Sequence, residues 1–478
     1  MLQPVGVNKE LPESPAGRRA GLLFALILLL ALGARVANLP SECLDGDELF
    51  TWRVTSAATW DEALQQIREA LVHPPLYYVL TRAFTALAGA GDLALRLPSL
   101  AAGLLAIALL WPIGRAAEGW AGPSLLAAAC LAVHDWHLFY SQQARSYALF
   151  CLLVHALLLW TLRWRRQPRP SLLAAGFTLA ALLAWTHYAG AIFAAALAVS
   201  LWFAPVPKPE RRRAAAALAA GALTLVPWLA WVAPVYRAKS GLSENLGWIG
   251  SPGLADIKMA WAQLLGVPDF PGATTVAILL AAWPAALALK RDPRGLAPLA
   301  AAGILAPTLL IALSLPPFRI PVFGLRHILP AAGPYLLLAA WGLRAWKGRA
   351  AAAALLLIFA GWPAWQHRAG GPVRYPLHEA AREISQGEWA RLPVYSTYPY
   401  GISMALRHYL PHERAVVDLT APRADLPPEF LLFYRPNAPR EQALLKELEA
   451  RGWQAAARRE YRSSARFSNY PALAVLRR

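Results

Sequence analysis

Asp45, Asp47 and Glu48 fall within four consecutive positions of "LDGDELFTW" (44–52), directly after the apolar run "GLLFALILLLALGARVANLP" (21–40). A carboxylate so placed can take the proton of a hydroxyl or amine as a new bond forms to it. The same trio also suits a solvated loop, or the caps of a helix at the end of a span. Cationic and imidazole groups recur at similar breaks: His73 before a Pro-Pro turn, Arg145 in "YSQQARSYAL" (140–149), His187 with Tyr188 in "THY" (186–188), and Arg326 with His327 in "LRHILP" (325–330). Guanidinium and imidazole groups can hold phosphate oxygens and stabilise a departing anion.

Each of these residues has a plainer reading as well. Arg145 at a span end can snorkel, Tyr140 and Tyr147 can anchor an aromatic belt, and His73 can cap a short helix. His187 can be a satisfied polar group between helices, and Arg96 of "LRLPS" (95–99) can anchor a span.

The elements that position them follow from composition. The chain has 478 residues, is 57% hydrophobic, and carries 20 Trp, more apolar surface than a soluble core of this size needs. Windows long enough to cross a hydrocarbon layer of about 30 Å lie near 20–39, 94–113, 121–140, 146–162, 171–187, 189–205, 214–235, 273–289, 296–315, 327–343 and 350–366. The expectation is an all-α polytopic membrane protein of about eleven transmembrane helices, its first segment retained, with residues 1–19 a cytoplasmic tail.

The net charge of +18 arises from short basic connections, which indicates membrane topology and no nucleic-acid partner. Arg18–Arg19, Arg115, "RWRRQPR" (163–169), "KPERRR" (208–213), "KRDPR" (290–294) and "RAWKGR" (344–349) all fall on one side of an alternating path, the expected cytoplasmic side. Residues 40–93, 140–145, 186–190, 236–271 and 316–327 then share the opposite face. Cys43, Cys130 and Cys151 have neither disulfide nor zinc spacing.

Within the transmembrane domain (20–369), the first external loop (40–93) should carry two interfacial helices. The first is "TWDEALQQIREAL" (59–71), with Thr59 as N-cap and Glu62 three residues later. The second follows "HPP" at 73–75. Residues 370–478 read as a small extracytoplasmic α/β domain, with strands in "LPVYST", "AVVDL", "EFLLFYRP" and "PALAVL" and helices in "ISMALRHYL" and "EQALLKELEARG".

The motifs "GDELFTW", "HPPLYY", "LRLPS", "YSQQARSYAL", "THY" and "LRHILP", in that order over residues 20–340, resemble those of bacterial polyprenyl-phosphate-dependent glycosyltransferases. These include protein O-mannosyltransferases and aminoarabinose transferases. The resemblance implies the type C glycosyltransferase fold in a bacterial inner membrane, a polyprenyl-phosphate-linked sugar donor, hexosyl or pentosyl transfer, and an extracytoplasmic lipid, glycan or protein acceptor. It implies Asp47 as general base, with Glu48 positioning Asp47 or the acceptor, and Asp45 as second choice for the base. His73, Arg145, Tyr147, His187, Tyr188, Arg326 and His327 would contact the lipid phosphate or substrate. At His73 the related aminoarabinose transferases carry Lys, so this chain departs from the pattern by an imidazole. No metal is assigned, although Asp47, Glu48 and a histidine leave a divalent cation open. The alternative is a transporter or flippase of lipid-linked glycans.

Overall fold

The computed structural model describes residues 15–478 except 38, 40, 41, 90, 119, 120, 239–251, 267–271, 321, 370–375, 387, 398–401, 412 and 463–470. Residues 1–14 of the expected tail, and 239–251 and 267–271 of the expected connection 236–271, lie outside the described residues. The chain divides into two compact units. One comprises Met1–Arg35, Leu64–Leu80 and Leu97–Ala364; the other comprises Val36–Ala63, Thr81–Arg96 and Trp365–Arg478.

The first unit is a bundle of apolar helices. Numbered along the chain, and with those of the first loop included, the helices are α1 (Pro15–Val36), α2 (Gly46–Thr55), α3 (Trp60–Ala70), α4 (Leu76–Ala88), α5 (Asp92–Glu118), α6 (Ala121–Val133), α7 (Asp135–Ser141), α8 (Tyr147–Arg166), α9 (Pro170–Thr186), α10 (Gly190–Ser200), α11 (Lys208–Leu223) and α12 (Val226–Ala238). Further helices cover Leu254–Gln263, Trp283–Arg291, Ala306–Ser314, Ala332–Leu343 and Arg349–Ala369.

All eleven apolar windows are helical over most of their length. Among the described residues, five helical stretches are long and apolar enough to cross a membrane: Gly17–Val36, Asp92–Ala117, Tyr147–Arg166, Lys208–Ala238 and Ala297–Ser314. Leu22, Leu29 and Leu30 of α1 are each more than 60% exposed, as leucines facing lipid tails would be. The protein is a multi-pass membrane protein.

Lipid tails are as apolar as leucine, so close backbone contact at small residues does much of the work of joining such helices. A Cβ at Gly342 would lie 1.8 Å from the Pro284 carbonyl oxygen, and one at Gly221 of α11 would lie 2.3 Å from the Phe177 carbonyl oxygen of α9. The buried core of the bundle includes Ile107, Leu110 and Ile113 of α5, Phe150, Val154 and Leu157 of α8, and Leu336 and Leu338, all fully buried.

The second unit joins α2 and the first turn of α5 to the C-terminal residues. There a five-stranded mixed sheet has the order β2-β1-β3-β5-β4, from β1 (Val394–Ser396), β2 (Val416–Asp418), β3 (Glu429–Tyr434), β4 (Gln454–Glu460) and β5 (Ala472–Arg477). β1 runs parallel to β2 and β3, and β5 antiparallel to β3 and β4. Helices Leu377–Ser385, Ile402–Tyr409 and Pro439–Ala450 accompany it, and Leu448 of the last packs in a core with Phe430, Leu432, Trp453 and Leu476. The four expected strands and two expected helices are present. β4 was not expected: its sequence "QAAARRE" is exposed along nearly its whole length, as befits a charged strand at a sheet edge.

The close crossing at Gly342 is testable. Gly342→Ala should lower thermal stability in detergent by about 1–3 kcal/mol through overpacking. Gly348→Ala, whose added Cβ meets nothing within 4 Å, should leave the melting curve unchanged.

Candidate functional site

In the second unit the acidic stretch forms the start of α2. Asp45 is the N-cap: its Oδ1 accepts from Glu48 N at 2.9 Å, while Glu48 Oε2 accepts from Asp45 N at 3.1 Å, a complete capping box. Glu48 is fully buried against Arg96, whose Nε and Nη2 donate to its two carboxylate oxygens at 2.7 and 2.9 Å. The same guanidinium donates to the carbonyls of Leu39, Glu42 and Cys43 at 3.3, 2.7 and 2.7 Å. All five of its N–H groups are thus used.

Of the three acids, then, Asp45 and Glu48 hold the loop, and Arg96 anchors it. Asp47 lies half-buried in the first turn of α2, where helices favour acidic residues. Thr59 accepts from Glu62 N at 3.1 Å, so α3 starts as its sequence suggested.

Residues far along the chain complete this arrangement. Tyr409 donates to Asp92 Oδ2 at 2.7 Å and accepts from Leu44 N, next to the N-cap, at 2.6 Å. His408 Nε2 meets Asp92 Oδ1 at 3.2 Å, and its ring stands edge-on to Trp52 at 4.6 Å. Cys43 Sγ lies 2.8 Å from His378 Nδ1. Burial pushes the Cys43 thiol up to about 11, and burial followed by the neighbouring Asp92 carboxylate raises the Tyr409 hydroxyl. More than 300 residues separate these partners, so no spacing in the sequence could have revealed them.

The first unit holds the cationic and imidazole residues. α3 ends with Leu71 in the left-handed region (φ 54°), a conformation that glycine usually supplies, and burial of its side chain offsets the strain. The turn brings in His73, 3% exposed, ahead of Pro74 and Pro75. Its ring centroid lies 4.7 Å from that of His187 and 5.5 Å from that of Tyr147. His187 in turn lies 4.9 Å from His327 and stacks on Phe150 at 4.6 Å. The Arg326 guanidinium sits 5.6 Å over the Tyr147 ring.

Arg145 is 2% exposed, and its carbonyl accepts from Ser99 Oγ at 3.0 Å, which itself meets the Tyr77 hydroxyl at 2.7 Å. Residues 73, 145, 147, 187, 326 and 327 thus gather from four separate stretches of sequence. Tyr188 turns elsewhere, its hydroxyl accepting from Trp228 Nε1 at 3.2 Å.

Burial first, then the neighbouring imidazoles and the guanidiniums of Arg145 and Arg326, hold His73 and His187 well below the usual imidazole range. Both rings are therefore neutral at pH 7. His187 Nδ1 accepts from Ala189 N at 3.1 Å, which puts its proton on Nε2. His327 Nδ1 donates to the Val322 carbonyl at 2.9 Å, leaving Nε2 as an acceptor. Neither nitrogen of His73, nor Nε2 of His187, has a hydrogen-bond partner among the described residues.

A buried polar group left unmatched costs about 1–3 kcal/mol, which is the signature of a site rather than of a core. Such a cluster can receive phosphate oxygens through the two guanidiniums and the imidazole N–H groups. Among the described residues, no group of three or more His, Cys, Asp or Glu is placed to hold a metal ion.

This geometry can be set beside known proteins. No curated protein matches the chain. The chain is similar in structure to ArnT from Cupriavidus metallidurans, with TM-score 0.56 for ArnT bound to undecaprenyl phosphate and 0.57 for its apo state. Each match is at 14% identity, over 96% of this chain and 98% of that one. The class this defines is the type C glycosyltransferase fold. The particular likeness, to the polyprenyl-phosphate-dependent transferases, is carried by residues 72–231, which match the family model for dolichyl-phosphate-mannose-protein mannosyltransferase. That stretch includes His73, Arg145, Tyr147 and His187.

Two outcomes are expected. Glu48→Gln should destabilise the protein by about 3–5 kcal/mol in detergent unfolding, because Arg96 loses its counter-charge while still buried. Glu48→Leu combined with Arg96→Leu should recover part of that loss. In addition, His73 and His187 stay neutral in the fold while the unfolded chain protonates near its ordinary pKa of about 6.5. Their contribution to stability is complete above that pH and declines as the pH falls below it. His73→Gln should make the acid side of a melting-temperature profile measurably shallower.

Proposed function

We propose that this protein transfers a sugar from a polyprenyl-phosphate carrier to an acceptor on the extracytoplasmic face of a bacterial inner membrane. The observation that carries the reading is the group of His73, His187, His327 and Arg145, all buried, with half-buried Arg326 beside them in the first unit. Imidazoles held neutral beside two guanidiniums, with polar atoms unmatched, suit an anion brought by a ligand.

ArnT, whose fold this chain shares, has been solved bound to undecaprenyl phosphate, and the same kind of lipid is the natural occupant to propose here. When the carbon–oxygen bond between the sugar and the phosphate breaks, the lipid leaves as a phosphate monoester bearing one more negative charge. Arg145 and Arg326 stabilise that charge electrostatically, and His187 Nε2–H donates to an oxygen. His73 contributes a hydrogen bond where a lysine would contribute a full charge, so this chain relies more heavily on its arginines.

The acceptor's hydroxyl or amine must lose its proton as it bonds to the sugar carbon, and Asp47 takes it. The resemblance of "DE" (47–48) to the family's Asp-Glu pair supports Asp47 as the base, while Asp45 and Glu48 form the capping box and the Arg96 pair. Glu48, proposed from resemblance to position Asp47, does so through the backbone of α2.

The test uses purified protein, a synthetic polyprenyl-phosphate sugar and membrane extract as acceptor. Asp47→Asn should lower transfer by about 10²–10⁴-fold, the usual worth of a general base, with the melting temperature unchanged. Arg145→Ala should weaken retention of polyprenyl phosphate at least about tenfold. Wild-type transfer rates in Asp47→Asn would remove it as base, and unaltered lipid retention in Arg145→Ala would remove the phosphate assignment.

A further inference from the structure

A charged cavity lies at the other end of α9 from His187. Arg163, Arg166, Gln167, Arg169, Ser171 and Leu172 line a space of about 360 Å³ at the junction of α8 and α9. Three guanidiniums face it, and among the described residues no acidic side chain lines it. α9 opens there with Pro170 at its first position and with no side chain capping its N–H groups, which adds partial positive charge. At 1.5 Å per residue, the 17 residues of α9 put this cavity about 25 Å from His187, outside the site described above.

The surroundings indicate what kind of anion fits. From Ser171 the outer surface of α9 continues through Ala174, Ala175, Phe177, Thr178 and Leu182, all exposed. With helical spacing these form a nearly continuous apolar strip leading away from the arginines. A free phosphate has no use for such a strip, whereas an amphiphile matches both parts. Basic pockets between membrane helices are known to receive anionic lipid headgroups.

We infer that Arg163, Arg166 and Arg169 with the N-terminus of α9 form a binding site for an anionic phospholipid, its phosphate among the guanidiniums and its acyl chains along α9. The arginine-rich turn is then a specific lipid contact in addition to a determinant of topology. Arginine suits this better than lysine, since its planar fork can meet two phosphate oxygens at once.

The experiment is native mass spectrometry of the purified full-length protein, delipidated and titrated with phosphatidylglycerol, phosphatidylcholine or inorganic phosphate. Wild type should retain phosphatidylglycerol over phosphatidylcholine by at least about tenfold. Combined Arg163→Gln, Arg166→Gln and Arg169→Gln should abolish that preference. The corresponding triple change to Lys, which keeps the charge that orients the chain, should weaken it without abolishing it. Changing Arg211, Arg212 and Arg213 to Gln, at a different basic turn, should leave it intact.

Equal retention of the two lipids by wild type overturns the inference. So does an equal loss when the 211–213 turn is changed, which would mean diffuse charge attraction. Binding of inorganic phosphate as tight as that of phosphatidylglycerol overturns the lipid assignment.

Discussion

The guanidinium of Arg96 is the constraint on which the order of the acidic stretch depends. Burying a charge is tolerable only when it is paired and every donor is met. Here two N–H groups go to Glu48 and three to the carbonyls of residues 39, 42 and 43. One side chain in the first turn of α5 thus sets the path of the chain into α2 and, through the capping box, the position of Asp47. Lysine has neither five donors nor a planar fork, so this is a position where arginine is chemically specified.

The two units handle buried charge in opposite ways. Around Arg96, Asp92 and Tyr409, anions and donors are matched nearly one for one, as in a network built to stay in place. Around His73, burial acts first and the charges that follow are all imidazole or guanidinium, and among the described residues its ring nitrogens are unmatched. A matched network rigidifies; an unmatched one is receptive. The contrast separates positioning residues from candidate binding residues better than residue type does, since arginines and histidines occur in both.

The C-terminal residues take part in the positioning. Tyr409 bonds to Leu44 and Asp92 at once, and His378 meets Cys43. The small α/β domain is therefore structurally continuous with the segment that carries Asp47. Residues 64–80 of the first loop, by contrast, belong with the apolar helices, so the loop read from sequence as one piece is shared between both units.

What the sequence by itself determined is whatever depends on neighbours along the chain. Apolar windows of about 20 residues became helices, Thr59 with Glu62 became a helix start, alternating apolar stretches became β1, β2, β3 and β5, and the motif order carried the resemblance to type C transferases. Strand β4 was hidden because an exposed charged edge has no apolar period to read. Tertiary structure alone decided that Asp45 and Glu48 close a capping box, that Arg96 is the internal counter-ion of Glu48, and that Tyr188 turns to Trp228 while His187 joins His73 and His327. The physical reason is distance along the chain. A charge's role is fixed by what lies within a few ångströms of it, and those partners stand 48 residues away for Glu48 and Arg96 and more than 300 for Leu44 and Tyr409.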